Sequence, residues 1–479
     1  MSARKYSSAG TASPRTNGDD LKRAVNWILN DDIFVPVKLH GNISWAPAAL
    51  VRLAVFWVWS AESSLVAAAE EALGRVVAIF GSAAVRSYQA LTGALKTYTR
   101  QLLPVLWRRL HGLMEDCNDA AWRVGGWLAL AVDGSRVQTP RTLKNEQRFC
   151  KPRTHGKKKR KKGKKRCRHA NQKRRSAARR KSHYDPQPVG PQMWLTLLWH
   201  IGQRLPWCWR IGPSYSSERA HLLELRDEQE FPESTLFCGD AGFVGYDFWQ
   251  AIAEHGHHFL VRVGSNVHLL KDLGYVRRRG EIVYCWPNAA MKKNQLPLVL
   301  RLLHFHDGRG EVFLVTNVLS EKELTDRQAG DIYRRRWGVE VQFRWLKQTF
   351  GRSKLRSRTP ECAEVELHWS LAGLWMIQLL ALKEQTTAGE PPDRTSIAAV
   401  LRIIRSMMYK ESQIPPRKES LRKQLEAALT DAYDRHGKKK SRHYPRRKEE
   451  PSAGKPQIRA ATENHKQKLR QLESLNHAA

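Results

Sequence analysis

Apolar and polar positions change texture several times along the chain. From about residue 21 to 116 apolar residues recur at three- and four-residue spacings, as in Leu50, Leu53 and Trp57 and again in Leu106, Leu110 and Leu113. That is the period of helices with one buried face. Gly81 and Pro104 punctuate the stretch, so several helices are expected rather than one. At Trp127 short apolar runs take over. WLALAV, closing on Asp133-Gly134, reads as a buried strand followed by a turn, and MWLTLLWHI and LPWCWRI flank Gly202-Gln203-Arg204 as arms of a β-hairpin. SSERAHLLELRDE offers a capping serine and a helical period; STLFCGDAGF is a strand ending at Asp240, followed by the helix GYDFWQAIAEHG and the strand HFLVRV. Strand, hairpin, helix, strand, helix, strand is the order of an α/β core.

From about 264 to 318 the chain is strand-rich with turns, a β module of about fifty-five residues set into that core. A long helical region follows from 321 to about 383. After Pro391, SIAAVLRIIRSMM and ESLRKQLEAALTDAY are helical, and a basic polar tail runs from Arg435. There is no internal repeat. The apolar stretch from 46 to 81 is interrupted by Arg52, Glu62, Glu70, Glu71 and Arg75, which fits buried helices better than a membrane span.

Charge narrows the class of partner. With 82 Lys plus Arg against 46 Asp plus Glu, the 479-residue chain carries a formal charge of +36. Self-repulsion of that size makes sense against a polyanion, with nucleic acid before an anionic membrane surface. Half of the excess lies between Lys151 and Lys181, which hold eighteen Lys or Arg and no acid. A run of one sign cannot collapse, so a solvated, disordered polyanion-binding loop is expected; a nuclear localisation signal is the less favoured reading. The seven cysteines are scattered and form no Cys-x-x-Cys, which points to a reducing compartment without a disulfide framework. Cys150, His155, Cys167 and His169 fit no usual zinc spacing and read as free side chains in a loop.

The most informative segment is IYRRRWGVEVQFRWLKQTF, 332–350. Taken as one helix, it puts Ile332, Val339, Phe343, Leu346 and Phe350 on a core-facing stripe. Tyr333, Arg336, Glu340 and Lys347 fall together beside it, with Trp337 and Arg344 on the outer flank. Such a face is commonly only an i,i+4 ion-pair ladder, Arg336 with Glu340. The alternative is a metal-binding glutamate among groups that hold phosphates: carboxylates for hard cations, Arg and Lys for backbone oxygens. Asp133 and Asp240 divide the same way. Either alone is a turn residue; two aspartates ending apolar strands and one glutamate at a core edge make a three-carboxylate site.

Tyr333, Arg336, Glu340 and Lys347 match the Y-(2)-R-(3)-E-(6)-K signature of the insertion-sequence-four family of bacterial DDE transposases. AVDGS around Asp133 and GDAGF around Asp240 resemble that family's blocks around its first and second catalytic aspartates, and the β-rich stretch before Glu340 agrees. The resemblance covers roughly 127–383. It implies an α/β, ribonuclease-H-like mixed-sheet core interrupted by a β-rich insertion, behind a helical N-terminal domain. It also implies that Asp133, Asp240 and Glu340 are the catalytic, metal-binding residues for two Mg²⁺ ions (Mn²⁺ able to substitute). Tyr333, Arg336 and Lys347 would contact DNA. The implied partners are double-stranded DNA, as terminal inverted repeats and target, and a second copy of the chain in a synaptic homodimer. No membrane is involved, and the place of action is the bacterial cytoplasm, at the nucleoid. The family can hold a flipped base with a tryptophan of its β insertion. Trp286 is the tryptophan available here, although no motif fixes it.

The expected division is a disordered leader 1–24, a helical N-terminal region 25–120 with possible DNA binding, and a first core part 121–263 carrying the basic loop 150–183. A β-rich insertion 264–320, a helical core part 321–385, C-terminal helices 386–434 and a basic tail 435–479 complete it. The polar N-terminus has no secretory h-region. Two further readings stand beside a transposase: a related metal-dependent nuclease without strand transfer, and a basic nucleic-acid-binding protein whose carboxylates no longer catalyse.

Overall fold

The computed structural model describes residues 17–151, 190–274, 281–306, 310–408, 419–430 and 454–477. The leader before residue 17, nearly all of the basic loop with His155, Cys167 and His169, and the tail between 431 and 453 lie outside the described residues.

Four α-helices open the described residues: α1 (Asn17–Ile28), α2 (Pro47–Trp59), α3 (Leu65–Phe80) and α4 (Tyr88–Cys117). α1 starts inside the expected leader because Leu21, Val25 and Ile28 bury completely. Gly81 ends α3 in the left-handed conformation at φ 86°, as a C-terminal glycine does. Pro104 breaks nothing. α4 runs through it, held by the buried Leu102, Leu103, Leu106 and Trp107 around the missing N–H.

The α/β part follows: β1 (Leu128–Gln138), α5 (Leu143–Phe149), β2 (Gln192–His200), β3 (Leu205–Pro213), α6 (Glu218–Glu228), β4 (Thr235–Gly239), α7 (Tyr246–Glu254) and β5 (His258–Val263). Next come β6 (His268–Lys271), β7 (Glu281–Cys285), α8 (Asn288–Lys292), β8 (Leu298–His306) and β9 (Glu311–Thr316). The chain then turns helical, with α9 (Asp326–Arg335), α10 (Gly338–Arg344), a π-helical turn (Trp345–Thr349), α11 (Pro360–Thr387), α12 (Ile397–Met408) and α13 (Leu421–Glu426). β10 (Gln457–Ala460) and α14 (Glu463–His477) close the described chain.

Among the described residues ten strands form one mixed sheet, in the order β10-β6-β7-β8-β9-β5-β4-β1-β2-β3. β1 pairs parallel with β4 and antiparallel with β2, while β4 and β5 are parallel. The expected hairpin is β2–β3, turning at Arg204 with φ 58°. The β-rich stretch extends the same sheet, because β9 pairs antiparallel with β5. Part of the expected tail also belongs to it, since β10 adds a parallel strand to the edge at β6.

α11 organises the helical side. It is long and apolar enough to cross a membrane, yet 94% of its most apolar stretch is buried against the rest of the chain. Trp59 on α2 donates its indole N–H to the Gly373 carbonyl of α11 (2.9 Å), and Trp369 on α11 donates to the Thr99 hydroxyl of α4 (2.9 Å). A side chain at 373 would stand 2.6 Å from Val58, so the glycine sets the approach of these helices. The N-terminal helices therefore share one continuous core with α11 and the sheet.

Candidate active site

The strand pattern around Asp133 differs from the expected strand and turn. β1 continues through Asp133-Gly134 to Gln138, because β2 keeps pairing with it: Asp133 opposite Leu197, Gly134 opposite Thr196, Gln138 opposite Gln192. On its other side the parallel ladder to β4 ends at Ala131 opposite Cys238. β1 thus outruns β4. Asp133 lies two residues past the last pair on β1, and Asp240 two past it beyond β4. Side chains alternate along a strand, so both carboxylates leave the sheet on the same face at one end.

Short contacts hold each aspartate. The Gly134 N–H donates to Asp133 Oδ1 (2.8 Å), and the Gly242 N–H donates to Asp240 Oδ1 (2.8 Å). A Cβ at Gly239 would stand 2.8 Å from Phe243, so the backbone turn after β4 needs the glycine that GDAGF supplies.

The segment of Glu340 is not one helix. α9 ends at Arg335, Arg336 and Trp337 form a turn, and α10 restarts at Gly338. Val339 and Glu340 donate three residues back, to Arg336 and Trp337 (both 3.1 Å). A Cβ at 338 would overlap the Trp199 ring of β2, so the chain crosses that indole on bare backbone. The core stripe nevertheless holds: Ile332, Val339, Phe343, Leu346 and Phe350 are all buried. Exposed Trp337 carries the Arg344 guanidinium 5.5 Å over its ring, on the outer flank. Behind Glu340, Gln342 and Gln378 exchange two amide hydrogen bonds (3.0 and 2.8 Å) in the core and fix α10 on α11.

Arg336 is the electrostatic centre. Its side chain is only 12% exposed and meets Glu340 at 3.7 Å. Burial works against the guanidinium, but Tyr333, Asp133, Asp240 and Glu340 together raise its pKa. Burial lifts Asp133 to about 6, with Asp240 and Glu340 adding to the rise and Arg336 and the Gly134 N–H opposing it. Lys347 donates to the Ser135 hydroxyl (2.6 Å); burial lowers its pKa against the pull of Asp133. Tyr333 lies 5.6 Å from the Arg336 guanidinium, with its phenol pushed up by burial. Asp133, Asp240, Tyr333 and Glu340 thus all act electrostatically on Arg336, and Lys347 is drawn toward Asp133. Among the described residues no three His, Cys, Asp or Glu side chains close into a ready metal-ligand group, and Arg336 supplies the positive charge.

Sequence reasoning passed over a further acid. Glu218, the first residue of α6, lies across Gly134: a Cβ there would stand 2.6 Å from its Cγ and 2.7 Å from its Cδ. Burial raises Glu218 to about 7, reinforced by Asp133 and Asp240 and opposed by Arg219. The serine before it, Ser217, occupies the N-cap position without a side-chain cap bond. Trp286 is buried and donates to the Gln295 carbonyl (2.8 Å), lining a cavity of about 580 Å³ with Tyr246, His268, Arg459 and His465.

Residues 194–376 match the family described as Transposase DDE domain. The match begins beyond Asp133 and includes Asp240 and Glu340. Among individual proteins, the chain is 23% identical over 313 residues to the Transposase InsG for insertion sequence element IS4 of Escherichia coli (strain K12), covering 63% of each chain. It is 28% identical over 120 residues to the Putative transposase y4zB of Sinorhizobium fredii (strain NBRC 101917 / NGR234), covering 23% of this chain and 32% of that one. The chain therefore matches less than two thirds of the length of these relatives. A cryo-EM structure of the piggyBac transposase synaptic complex with hairpin DNA aligns over 87% of this chain and 86% of that one, at 11% identity and a TM-score of 0.39. The family match and the relatives agree with the resemblance read from the sequence: DDE transposases of the IS4 type.

Proposed function

We propose that the protein is a DNA transposase that cleaves DNA at transposon ends and joins those ends to a target. The observation that carries this reading is the register. It sets Asp133 and Asp240 on one face past the last β1–β4 pair, and both acids act electrostatically, with Glu340, on one buried arginine. A ribonuclease-H-like core is the finer reading of the fold. Support comes from the strand order β3-β2-β1-β4-β5, in which β2 runs antiparallel to both neighbours.

The donors fit a hard divalent cation: all are carboxylate oxygens, and burial, which raises the pKa of Asp133, leaves that carboxylate short of solvation a cation would replace. Asp133, Asp240 and Glu340 would hold Mg²⁺, as two ions by the chemistry of the family, with Mn²⁺ able to substitute. Bound metal supplies Lewis-acid stabilisation of the attacking and leaving oxygens. The side chains around it position the DNA. Arg336 offers a guanidinium fork for a phosphate, and the Lys347 ammonium is steered by Ser135 to the flank of Asp133. Tyr333 packs behind Arg336 and limits its swing. The net charge of +36 provides salt-dependent attraction to terminal repeats and target alike. Synapsis as a homodimer in the bacterial cytoplasm belongs to the same reading.

The test is a Mg²⁺-dependent nicking assay on DNA carrying the gene's own flanking inverted repeats, comparing wild type with Glu340→Gln. Nicks at the repeat ends that vanish in the variant are expected. A second reading, a catalytically silent nucleic-acid-binding protein, draws on the Arg336–Glu340 pair and the unclosed ligand set among the described residues. Tight binding to those ends without nicking by either protein would decide for it.

A further inference from the structure

A glutamate at the first position of a helix is ordinarily explained by the helix dipole, whose positive end favours an acid there. Glu218 does more than meet the dipole. Its side chain folds over the α-carbon of Gly134, the residue after Asp133, where any Cβ would collide with it. Its Oε2 lies 3.9 Å from the point above Gly242 that is also 3.0 Å from Asp240 Oδ1, so the two carboxylates border the same small space.

Both flanks of Glu218 are anchored. Arg219 donates to the Val244 carbonyl (2.6 Å), which ties the start of α6 to the loop after Asp240. His221 Nδ1 meets the Thr196 hydroxyl at 2.9 Å, and Thr196 is the β2 residue opposite Gly134. The start of α6 is thus fixed to the strand neighbour of Asp133 and to the loop of Asp240, and Glu218 stands between them. A surface glutamate needs neither tie.

We propose that Glu218 is a fourth metal-holding carboxylate of this site, sharing a divalent cation with Asp133 and Asp240. The inference rests on the reading of those two aspartates as metal-holding residues. Gly134 acquires a reason under it, since the residue after Asp133 must lack a side chain for the fourth acid to reach the cleft.

The experiment counts Mn²⁺ bound to the full-length protein by electron paramagnetic resonance and follows the Mn²⁺-induced shift in thermal midpoint. Wild type, Glu218→Gln, Gly134→Ala and Asp240→Asn are compared. Glu218→Gln preserves shape and removes a repelling charge, so its metal-free midpoint should equal or exceed that of wild type. Its affinity for one Mn²⁺ should fall by about tenfold or more, and its Mn²⁺-induced shift should shrink. Gly134→Ala should do the same by displacing the intact Glu218. If Asp240→Asn loses Mn²⁺ while Glu218→Gln binds it like wild type, Glu218 is a helix-start residue only and the inference falls alone. Absence of Mn²⁺ binding by wild type would overturn the metal reading of the aspartates, and this inference with it.

Discussion

Two acids, barely thirty positions apart in sequence, live in opposite surroundings: Glu366 is fully buried, whereas the Glu340 side chain is 44% exposed. Glu366 on α11 is fully buried and fully answered: the backbone N–H groups of Arg356 and Ser357 and the Ser357 hydroxyl all donate to it, at 2.7–3.2 Å. Arg352 and Arg356 flank it at 3.9 and 3.8 Å. Glu340 and its partners Asp133 and Asp240 have a single guanidinium among them, and each aspartate accepts one backbone N–H. The first arrangement spends its charge within the chain, pinning the 351–358 segment to α11. The second keeps negative charge in hand for something from outside. Glu366 is closed off by its donors inside the core, whereas Glu340 keeps its carboxylate open to solvent at the edge of α10.

The contrast breaks most visibly in cleavage. Asp133→Asn, Asp240→Asn and Glu340→Gln should each abolish Mg²⁺-dependent nicking, while DNA binding and thermal midpoint stay close to wild type. A midpoint falling as cleavage falls would make these acids structural, like Glu366. The reverse holds for Glu366→Ala, which strands the Arg352 guanidinium, itself held down at about 10 by burial against the pull of Glu366. Breaking one partner of a buried pair costs about 3–5 kcal/mol, read by denaturant unfolding. An unfolding free energy within error of wild type would refute the comparison.

A third effect is smaller and has a distinctive sign. Acids whose folded pKa is raised, Asp133 to about 6 and Glu218 to about 7, bind protons more tightly in the folded chain than in the unfolded one. Their contribution favours folding at acid pH and is lost as pH rises from about 4 through 6 and 7. That is opposite to the usual salt-bridged carboxylate. In metal-free protein, Glu218→Gln should flatten the decline of midpoint over this window. Protons compete with metal for the same oxygens, so Mn²⁺ affinity should climb across it. Identical pH profiles for wild type and variant would show that burial does not raise the Glu218 pKa as described.

What the chain disclosed beforehand follows from how local each feature is. The stripe from Ile332 to Phe350 was legible because periodic burial is written residue by residue. The break at Arg336-Trp337 was not, since its cause, the Trp199 ring against Gly338, comes from a distant strand. Asp133-Gly134 looked like a turn because β2, the strand that prolongs β1, begins only beyond the basic loop. Glu218 looked like any helix start; the glycine after Asp133 was the one local hint that a second acid needed the room. The edge strand β10 hid in a polar tail because its residues are exposed, and exposed strands carry no apolar alternation.

The smallest expected effect tests how finely the open site is adjusted. Ser135 follows Gly134 on the part of β1 that outruns β4, and its hydroxyl receives the Lys347 ammonium at 2.6 Å. Lys347 is half-buried near Asp133, and burial already lowers its pKa. Without Ser135 the ammonium can move toward the aspartate or out to solvent, so under the proposed function its position beside a DNA phosphate would be lost while its charge remains. Ser135→Ala should therefore weaken engagement of the transposon end modestly, by severalfold, and leave the catalytic rate on saturating DNA nearly unchanged. Lys347→Ala, which removes the charge itself, should cost more and also flatten the salt dependence of binding. Equal losses in the two variants would mean that the lysine works only through its serine contact. A loss in Ser135→Ala confined to rate would move Ser135 from positioning DNA to shaping the carboxylate cleft, and the distinction between held and unheld charge drawn from Glu366 would then have to extend one residue further along β1.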